Sequence, residues 1–332
     1  KSRLVNRPEK ITEMGTGELA LVVSGIRQLT PRIRAYELRS ATGEELPVVK
    51  AGAHLKIPVL MEDGITQYRH YSICSNPSRR DIYEIAVLKE ENGRGGSERL
   101  HQVLALGMTL HCAMPENYFS LAENNKPAIF IAGGIGITAI KPMVQTLLAK
   151  GVSCELHYAA KSQVHMAFGD RLQRELAEDF YGYYSDKNER LNAVSLLVNV
   201  PSDADIYVCG PQSLIDAVYA AAQELGIASS RVHAERFSVD KNTADKAFTI
   251  ELARSQKIIA VSADQSILEA LEAEGIKTEF DCRVGNCGMC AVKVVAGDVE
   301  HRDKVLSTAD KAEGLMCACI SRATSETLVL DI

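Results

Sequence analysis

Five of the nine cysteines in this 332-residue sequence lie close together near its C-terminus. Cys282, Cys287 and Cys290 have the spacing C-x4-C-x2-C, and Cys317 and Cys319 follow about thirty residues later. This spacing is typical of plant-type [2Fe-2S] sites, in which one loop supplies three thiolates and a distant segment supplies the fourth. The loop therefore predicts an iron–sulfur site, and both later cysteines are candidates for its fourth ligand.

Other kinds of cysteine site fit the pattern less well. Zinc sites usually pair close cysteines at both ends, whereas the first gap here is four residues. Buried structural thiols and reactive redox thiols are the remaining alternatives, but neither needs three partners at this spacing. Gly285 and Gly288 lie between the cysteines, where glycine allows backbone amides to turn towards sulfur.

Two glycine-bearing segments have the residues to hold phosphate groups. Gly-Gly-Ile-Gly-Ile-Thr at 133–138 follows an apolar run and precedes a helical pattern, a context that lets a pyrophosphate approach backbone amides. Gly-Arg-Gly-Gly-Ser at 93–97 precedes a helix candidate at 98–104, whose N-terminus suits an anion. In isolation, the segment at 133–138 is equally consistent with an ordinary tight turn.

Three patterns of secondary structure must position these residues. Between residues 19 and 121, short alternating segments separated by Gly, Pro and Asn turns predict a small antiparallel β-barrel. Strand and helix candidates then alternate from 128 to 225, which predicts a doubly wound, nucleotide-binding α/β sheet. A polar stretch at 238–246 predicts a linker. Beyond it, a hairpin, a helix at 267–276 and two further strands predict a small mixed sheet packed on one helix.

Composition and charge exclude several classes of function. Hydrophobic residues make up 46% and charged residues 24%, as in ordinary folded, water-soluble proteins. The net charge of -6 and the scattered basic residues argue against nucleic-acid binding. No apolar run is long enough to cross a bilayer, no signal-peptide core is visible, and the odd cysteine count argues against a disulfide framework. We therefore expect a cytoplasmic protein.

Other catalytic signatures are missing from the sequence. The eight histidines show no H-x3-H spacing, which argues against a mononuclear metal or Rieske centre within the chain. No G-x-S-x-G hydrolase elbow occurs. The chain begins with Lys1, which fits a processed form or the tail of a longer fusion.

Read in order, the motifs resemble one family, the phthalate dioxygenase reductase and vanillate demethylase reductase type of oxygenase reductase. The resemblance covers nearly the whole chain. The matching segments are RHYSI at 69–73, GRGGS at 93–97, GGIGIT at 133–138, CGP at 209–211, ERF at 235–237, the cysteine loop, HRD at 301–303 and CISR at 319–322. The resemblance implies a flavin-binding β-barrel domain at 1–124, an NAD-binding α/β domain at 125–237, a linker at 238–246, and a plant-type [2Fe-2S] ferredoxin domain of β-grasp fold at 247–332.

The resemblance also implies where the flavin binds. Arg69 suits a phosphate, Tyr71 suits the ring system, and the hydroxyl of Ser72 suits the ring or ribityl chain. The remaining residues implied at this site are His70, Gly95, Gly96 and Ser97. Family members with this glycine segment hold FMN, so FMN is expected, and spacing alone leaves FAD open.

The same family pattern implies a nicotinamide site and a reaction centre. Its dinucleotide-binding residues are expected to be Gly133, Gly134, Gly136, Gly210 and Pro211. Cys209 is expected near the nicotinamide, Phe237 over the flavin, and Thr138 at the same centre. This chain has Ala139 where the family usually has Pro, a departure expected to alter the helix start slightly.

The fourth cluster ligand also follows from the family pattern. In the family, as in plant-type ferredoxins, this ligand lies five residues after a glycine. Gly314 therefore points to Cys319, with Cys317 as its neighbour.

The function implied is a reductase that takes hydride from NADH to flavin and passes single electrons through the cluster. Its expected partner is a separate terminal oxygenase, of Rieske type or alternatively a cytochrome P450, served by a monomeric reductase. NADPH stays an alternative, because residues 160–163 lack an acidic side chain and include Lys161. Two other classes are a redox-sensing module without turnover and an assembly subunit with a structural metal.

Overall fold

The computed structural model describes residues 11–91, 93–239 and 244–332. It divides into two compact units, one ending at Ala234 and the other formed by Glu235–Ile332. The predicted boundary at 124 and the domain limits drawn from the resemblance stay predictions. The predicted linker at 238–246 falls partly outside the described residues, which omit 240–243.

The N-terminal part of the first unit is built from mostly antiparallel strands, and the short first strand pairs in parallel with the seventh, which departs from the wholly antiparallel arrangement that the sequence predicts. Its strands are β1 (Glu13–Gly15), β2 (Leu19–Gln28), β3 (Ile33–Ser40), β4 (His54–Leu60), β5 (Thr66–Ser72), β6 (Tyr83–Leu88) and β7 (Thr109–Cys112). They form a sheet of order β1-β7-β2-β3-β6 and a separate pair, β4-β5. The helix α1 (Gly96–Val103) follows β6. Leu21 and Val23 of β2 and Tyr36 and Leu38 of β3 alternate with more exposed residues and share one core, as the sequence pattern predicts.

A five-stranded sheet follows in the same unit. Its strands are β8 (Ala128–Gly133), β9 (Cys154–Ala160), β10 (Phe180–Tyr184), β11 (Asp205–Cys209) and β12 (Val232–Glu235), and its helices are α2 (Ile137–Lys150), α3 (Gly169–Leu176), α4 (Ala193–Leu197) and α5 (Gln212–Glu224). The order is β10-β9-β8-β11-β12. Strand β8 pairs in parallel with β9 on one side and β11 on the other. The strand order therefore reverses between β8 and β11, where open α/β sheets bind their ligands.

The second unit is a mixed sheet with two short helices. Its strands are β13 (Phe248–Leu252), β14 (Lys257–Val261), β15 (Ala291–Ala296), β16 (Val299–Glu300), β17 (Leu315–Cys317), β18 (Arg322–Ala323) and β19 (Thr327–Leu330), and its helices are α6 (Ile267–Ala273) and α7 (Thr308–Ala312). The main sheet has the order β14-β13-β19-β15-β17. A capping box between Ser266 and Glu269 starts α6. The helix ends three residues before the predicted Ile276, because Gly275 adopts the left-handed conformation at φ 72°.

Candidate functional site

The cysteine loop is an irregular segment whose backbone turns towards sulfur. The Sγ of Cys282 accepts hydrogen bonds from the backbone N–H of Asn286 at 3.2 Å and of Val284 at 3.5 Å. Gly285 and Gly288 both have φ 77°, a conformation that side chains rarely adopt. Gly285 therefore lies directly before an amide that faces the Cys282 sulfur, as the sequence predicts for this glycine.

The five cysteines of the second unit gather at one place. Hydrogen bonding from the Cys287 thiol lowers the pKa of Cys282 to about 6. Hydrogen bonds from the thiols of Cys317 and Cys319 lower the pKa of Cys290 to about 3. Donating these bonds raises the pKa of all three donors. The sulfurs therefore form two local sets, one around Cys282 and the other around Cys290.

This grouping fits two metal ions better than one. Four thiolates around a single zinc would all lie about 3.8 Å apart, given Zn–S bonds of about 2.3 Å. Within the described residues, no three cysteine sulfurs lie within 4.8 Å of one another. In a [2Fe-2S] cluster each iron takes two thiolates and shares two sulfides, so the thiolates come in two pairs. Cys282 with Cys287, and Cys290 with a later cysteine, provide such pairs.

The cysteine loop packs on Asp303, a residue that the cysteine spacing did not indicate. Asp303 is 2% exposed, and its carboxylate accepts hydrogen bonds from Leu306 N–H at 3.0 Å and from Ser321 Oγ at 3.3 Å. The Lys311 ammonium lies 3.5 Å from it. A Cβ on Gly285 would lie 3.4 Å from the Asp303 Cα, so the loop packs directly on this residue. The sequence feature that could have indicated Asp303 is its place in the HRD motif at 301–303.

We expect Asp303→Ala to destabilise the second unit by about 3 kcal/mol, because it leaves the buried Ser321 hydroxyl and the partly buried Leu306 N–H without their acceptor, and the Lys311 ammonium without its carboxylate partner. Urea unfolding, followed by cluster absorbance, measures the change. Asp298→Ala removes an exposed carboxylate from the same unit and serves as the control. Equal midpoints for the two variants would contradict this role for Asp303.

The predicted dinucleotide segment lies at the switch point of the parallel sheet. A Cβ on Gly136 would lie 2.2 Å from the carbonyl oxygen of Cys209, and a Cβ on Gly210 would lie 2.9 Å from Gly133 Cα. Gly134 has φ 52°, with nothing near the position of a Cβ. The ends of β8 and β11 thus approach so closely that only glycine fits between them.

Neighbouring side chains hold this turn in place. Tyr158 donates a hydrogen bond to the carbonyl of Gly134 at 3.1 Å, and the hydroxyl of Thr138 donates to the carbonyl of Ile135 at 2.9 Å. A single 3-10 turn at Gly134–Gly136 precedes α2, and the unusual Ala139 is fully buried in its first turns. The helix therefore starts directly at the end of the predicted binding segment.

The predicted flavin residues lie on β5 and at the start of α1. A Cβ on Gly96 would lie 2.6 Å from Arg69 Nε, so the guanidinium packs against the helix start. Gly95 precedes the helix with φ 76°. The Arg69 Nη2 also donates to Gln67 Oε1 at 2.6 Å. The structure thus brings the two predicted segments together, with a cation facing the N-terminus of a helix.

The other predicted flavin residues occupy neighbouring positions on the same strand. Burial raises the pKa of the Tyr71 phenol, and Ser72 is 5% exposed. His70 stacks on His54 of the paired strand, with ring centroids 4.7 Å apart. Ser97 Oγ accepts a hydrogen bond from the Glu90 N–H at 3.1 Å, which joins the helix start to the end of β6.

Two predicted reaction-centre residues differ in exposure. Cys209 is fully buried at the end of β11, and it lies beside Ala132 of β8. Phe237 is 40% exposed and belongs to the second unit. Its predicted place over the flavin stays a prediction.

Glu235 precedes Phe237 and is a buried acid. The residue is 6% exposed, and its Oε2 has no hydrogen-bond partner among the described residues. Burial raises the pKa of its carboxyl to about 8 from the ordinary 4.5. The folded protein therefore keeps this proton between pH 4.5 and 8, while the unfolded chain loses it.

We expect the free energy of unfolding to fall as the pH rises from 4.5 to 8, because the unfolded state binds fewer protons than the folded state over this range. Above pH 8 the Glu235 carboxyl is ionised in both states and causes no further fall. Glu235→Gln removes this titrating group. The free energy of unfolding of the variant, relative to that of the wild type, should therefore rise by up to about 4 kcal/mol between pH 5 and pH 8. Denaturant melts of both proteins at each pH measure this difference. A constant difference would show that the carboxyl titrates normally.

In the described part of the chain, no helix is long and apolar enough to span a membrane.

These features define an iron–sulfur electron-transfer protein that also carries a dinucleotide-type α/β sheet. A family model described as "2Fe-2S iron-sulfur cluster binding domain" matches residues 250–324. The carnitine monooxygenase reductase subunit of Escherichia coli (strain K12) is 38% identical over 314 residues, covering 93% of this chain and 97% of that protein. The vanillate O-demethylase oxidoreductase of Acinetobacter baylyi is 36% identical over 316 residues, covering 94% and 98%.

Solved structures agree with this assignment. Phthalate dioxygenase reductase, described as a modular structure for electron transfer from pyridine nucleotides to [2Fe-2S], matches with a TM-score of 0.70 and 32% identity, covering 95% of this chain and 98% of that one. An intact type IV self-sufficient cytochrome P450 monooxygenase matches with a TM-score of 0.72 and 35% identity, but this chain spans only 41% of its length. The chain belongs to the oxygenase-reductase family of vanillate O-demethylase and phthalate dioxygenase reductases, and the predicted resemblance is confirmed.

Proposed function

We propose that this protein oxidises NADH and delivers electrons one at a time to a separate terminal oxygenase of Rieske type. The observation that carries the proposal is the gathering of the second unit's cysteines into two sulfur sets, in a chain whose first unit has a glycine-lined switch point. A bound flavin accepts two electrons from NADH and a [2Fe-2S] cluster accepts one, which makes the conversion possible. The family names support an oxygenase as the partner.

Cys282, Cys287, Cys290 and Cys319 are proposed to hold the cluster. The proximity of both Cys317 and Cys319 to Cys290 is compatible with either as the fourth ligand. The position of Cys319, five residues after Gly314 and directly before ISR at 320–322, supports it over its neighbour. We further propose that this unit has the β-grasp fold, and that β1–β7 close into the flavin barrel.

FMN is the proposed flavin. Arg69 and the backbone amides at Gly95, Gly96 and Ser97 provide a cation and a helix N-terminus for a terminal phosphate. A mononucleotide ends in such a phosphate. Tyr71 and Ser72 on the same strand are proposed to contact the ring and ribityl chain, and His70 lines the strand between them.

Gly133, Gly134, Gly136, Gly210 and Pro211 are proposed to hold the dinucleotide. Thr138, at the start of α2, and Cys209, at the end of β11, would then flank the nicotinamide. Phe237 is proposed to cover the flavin face.

A feature that the sequence did not reveal supports NADH over NADPH. Asp186 follows β10, and its backbone N–H donates to the carbonyl of Lys161 at 3.0 Å. An acidic residue thus lies at the strand edge where the ribose hydroxyls are expected, and an acid there disfavours a 2'-phosphate.

The acidic character of the second unit supports a basic docking partner. Residues 247–332 contain nine Lys and Arg and fourteen Asp and Glu side chains, a net charge of -5. A haem oxygenase is the second candidate partner. The match to a self-sufficient cytochrome P450 and to a haem-dependent oxidative N-demethylase β subunit at 38% identity favours it.

Anaerobic titration with NADH tests the proposal. Iron, sulfide and released flavin are quantified first, and flavin and cluster absorbance are then followed together. Bleaching of both chromophores at stoichiometric NADH, with FMN as the released flavin, is the expected result. Zinc in place of iron would favour a structural-metal subunit, and reduction without turnover of an acceptor such as cytochrome c would favour a redox-sensing module.

A further inference from the structure

A buried ammonium on α2 binds the segment that follows β5 within the first unit. Lys141 lies on α2, three residues after Thr138, and is 1% exposed. Its Nζ donates to the backbone carbonyl of Cys74 at 2.6 Å. Cys74 is two residues after Ser72 in the proposed flavin-binding segment. The contact therefore joins two chain segments that adjoin the two proposed cofactor sites.

A buried carboxylate completes the arrangement around Lys141. Glu84 Oε2 lies 3.9 Å from the Lys141 Nζ and accepts a hydrogen bond from the Cys74 thiol at 3.8 Å. Arg27 lies against the other oxygen of Glu84, with Nη2 at 2.5 Å. The Lys141 ammonium also lies 5.0 Å from the centroid of the Phe168 ring. The positive charge of Lys141 is thus compensated. It lies between Cys74 and Glu84 of the N-terminal part of the unit and Phe168 of the part that contains the parallel sheet.

Stability alone is a poor explanation for this lysine. Removing an ammonium from water costs free energy that buried pairs often fail to recover, and an apolar side chain of similar length packs at least as well. Lys141 lies on α2 between Ile140 and Met143, which belong to an apolar core cluster that also includes Ala51 and Phe119. An apolar side chain at position 141 could not form the directional hydrogen bond that joins α2 to the Cys74 carbonyl.

The helix itself gives a reason for such a contact. Pro142 follows Lys141 and has no N–H to donate to the carbonyl of Thr138, so α2 lacks one of its own hydrogen bonds near the binding segment. A fixed contact one residue earlier compensates for this weakness. It holds the start of α2 at a defined distance from the strand that carries Arg69 to Ser72.

We propose that Lys141 is a positioning residue for hydride transfer, which sets the distance between the proposed nicotinamide and flavin sites by binding the Cys74 carbonyl. This inference rests on the proposed function. Hydride transfer requires reacting atoms about 3 to 3.5 Å apart, and a displacement of about 1 Å can slow such a step about 100-fold. Lys141 therefore acts on the first chemical step and not on the step from flavin to cluster.

Stopped-flow kinetics of the holoenzyme with NADH test this role in Lys141→Met, which keeps the length of the side chain and removes the donor. We expect flavin reduction at saturating NADH to slow by 10-fold to about 100-fold. The charge-transfer absorbance between nicotinamide and flavin should weaken in parallel. The rate from flavin to cluster after photoreduction should stay within twofold of the wild type.

Arg27→Met is the matched control, because it removes a cation from the same carboxylate without touching α2. Its flavin reduction should stay within twofold of the wild type. The inference is overturned if Lys141→Met reduces flavin at the wild-type rate, if both variants slow equally, or if the flavin-to-cluster step falls by the same factor. A wild type whose flavin NADH does not reduce would instead refute the proposed function.

If Lys141→Met does not fold, the same kinetics are measured on the double variant Lys141→Met/Glu84→Gln, because it removes both buried charges together. It should show the same selective loss of flavin reduction. Failure of both variants to fold would overturn the inference, since Lys141 would then serve folding and not placement.

Discussion

Cys290→Ala is expected to abolish NADH-driven reduction of cytochrome c while NADH still reduces the flavin. Cys290 is 3% exposed, and its sulfur is the acceptor shared by Cys317 and Cys319. Alanine at this position removes a ligand from the interior of the site, where no water can replace it. Iron and sulfide content and the electron paramagnetic resonance signal of the dithionite-reduced protein should fall to background.

Substitutions at the two later cysteines separate the fourth ligand from its neighbour. Cys319→Ala should lose the cluster as Cys290→Ala does, whereas Cys317→Ala should keep it. Cys154→Ala, at a buried thiol of β9, is the control for loss of a cysteine elsewhere. A cluster retained in Cys290→Ala would refute the ligand set, and the reverse order for positions 317 and 319 would exchange their roles.

Arg69→Ala should weaken flavin binding by about 100-fold, which corresponds to about 3 kcal/mol for a charge-assisted pair with phosphate. The purified variant should be pale and should regain activity with added FMN. Equilibrium dialysis or fluorescence quenching on titration with FMN gives the dissociation constant.

Two further variants make the test of Arg69 specific. Gly96→Ala keeps the arginine but places a Cβ 2.6 Å from its Nε, so it should displace the guanidinium and weaken FMN binding as well. Arg39→Ala removes an exposed arginine paired with Asp81 on the same part of the chain and should bind FMN normally. Unchanged FMN affinity in Arg69→Ala would show that the phosphate lies elsewhere.

Secondary-structure elements could be predicted from the sequence wherever their residue pattern along the chain is clear. The alternation in β2, the apolar run of β8 and the periodicity of α2 each predicted an element that the structure contains. The strand β10 was not predicted, because its aromatic run neither alternates apolar with polar residues nor forms an aliphatic run like that of β8.

The sequence by itself determined the kinds of site in this protein. The C-x4-C-x2-C loop, the glycines after β8 and the arginine of β5 each carry their chemistry within a few residues, so their order identified the family. The tertiary structure decided how distant segments meet. It placed Gly96 against Arg69, Cys317 and Cys319 beside Cys290, and Lys141 against Cys74. Such contacts join residues up to 67 positions apart, and no local pattern encodes them because chain folding and side-chain packing alone bring them together.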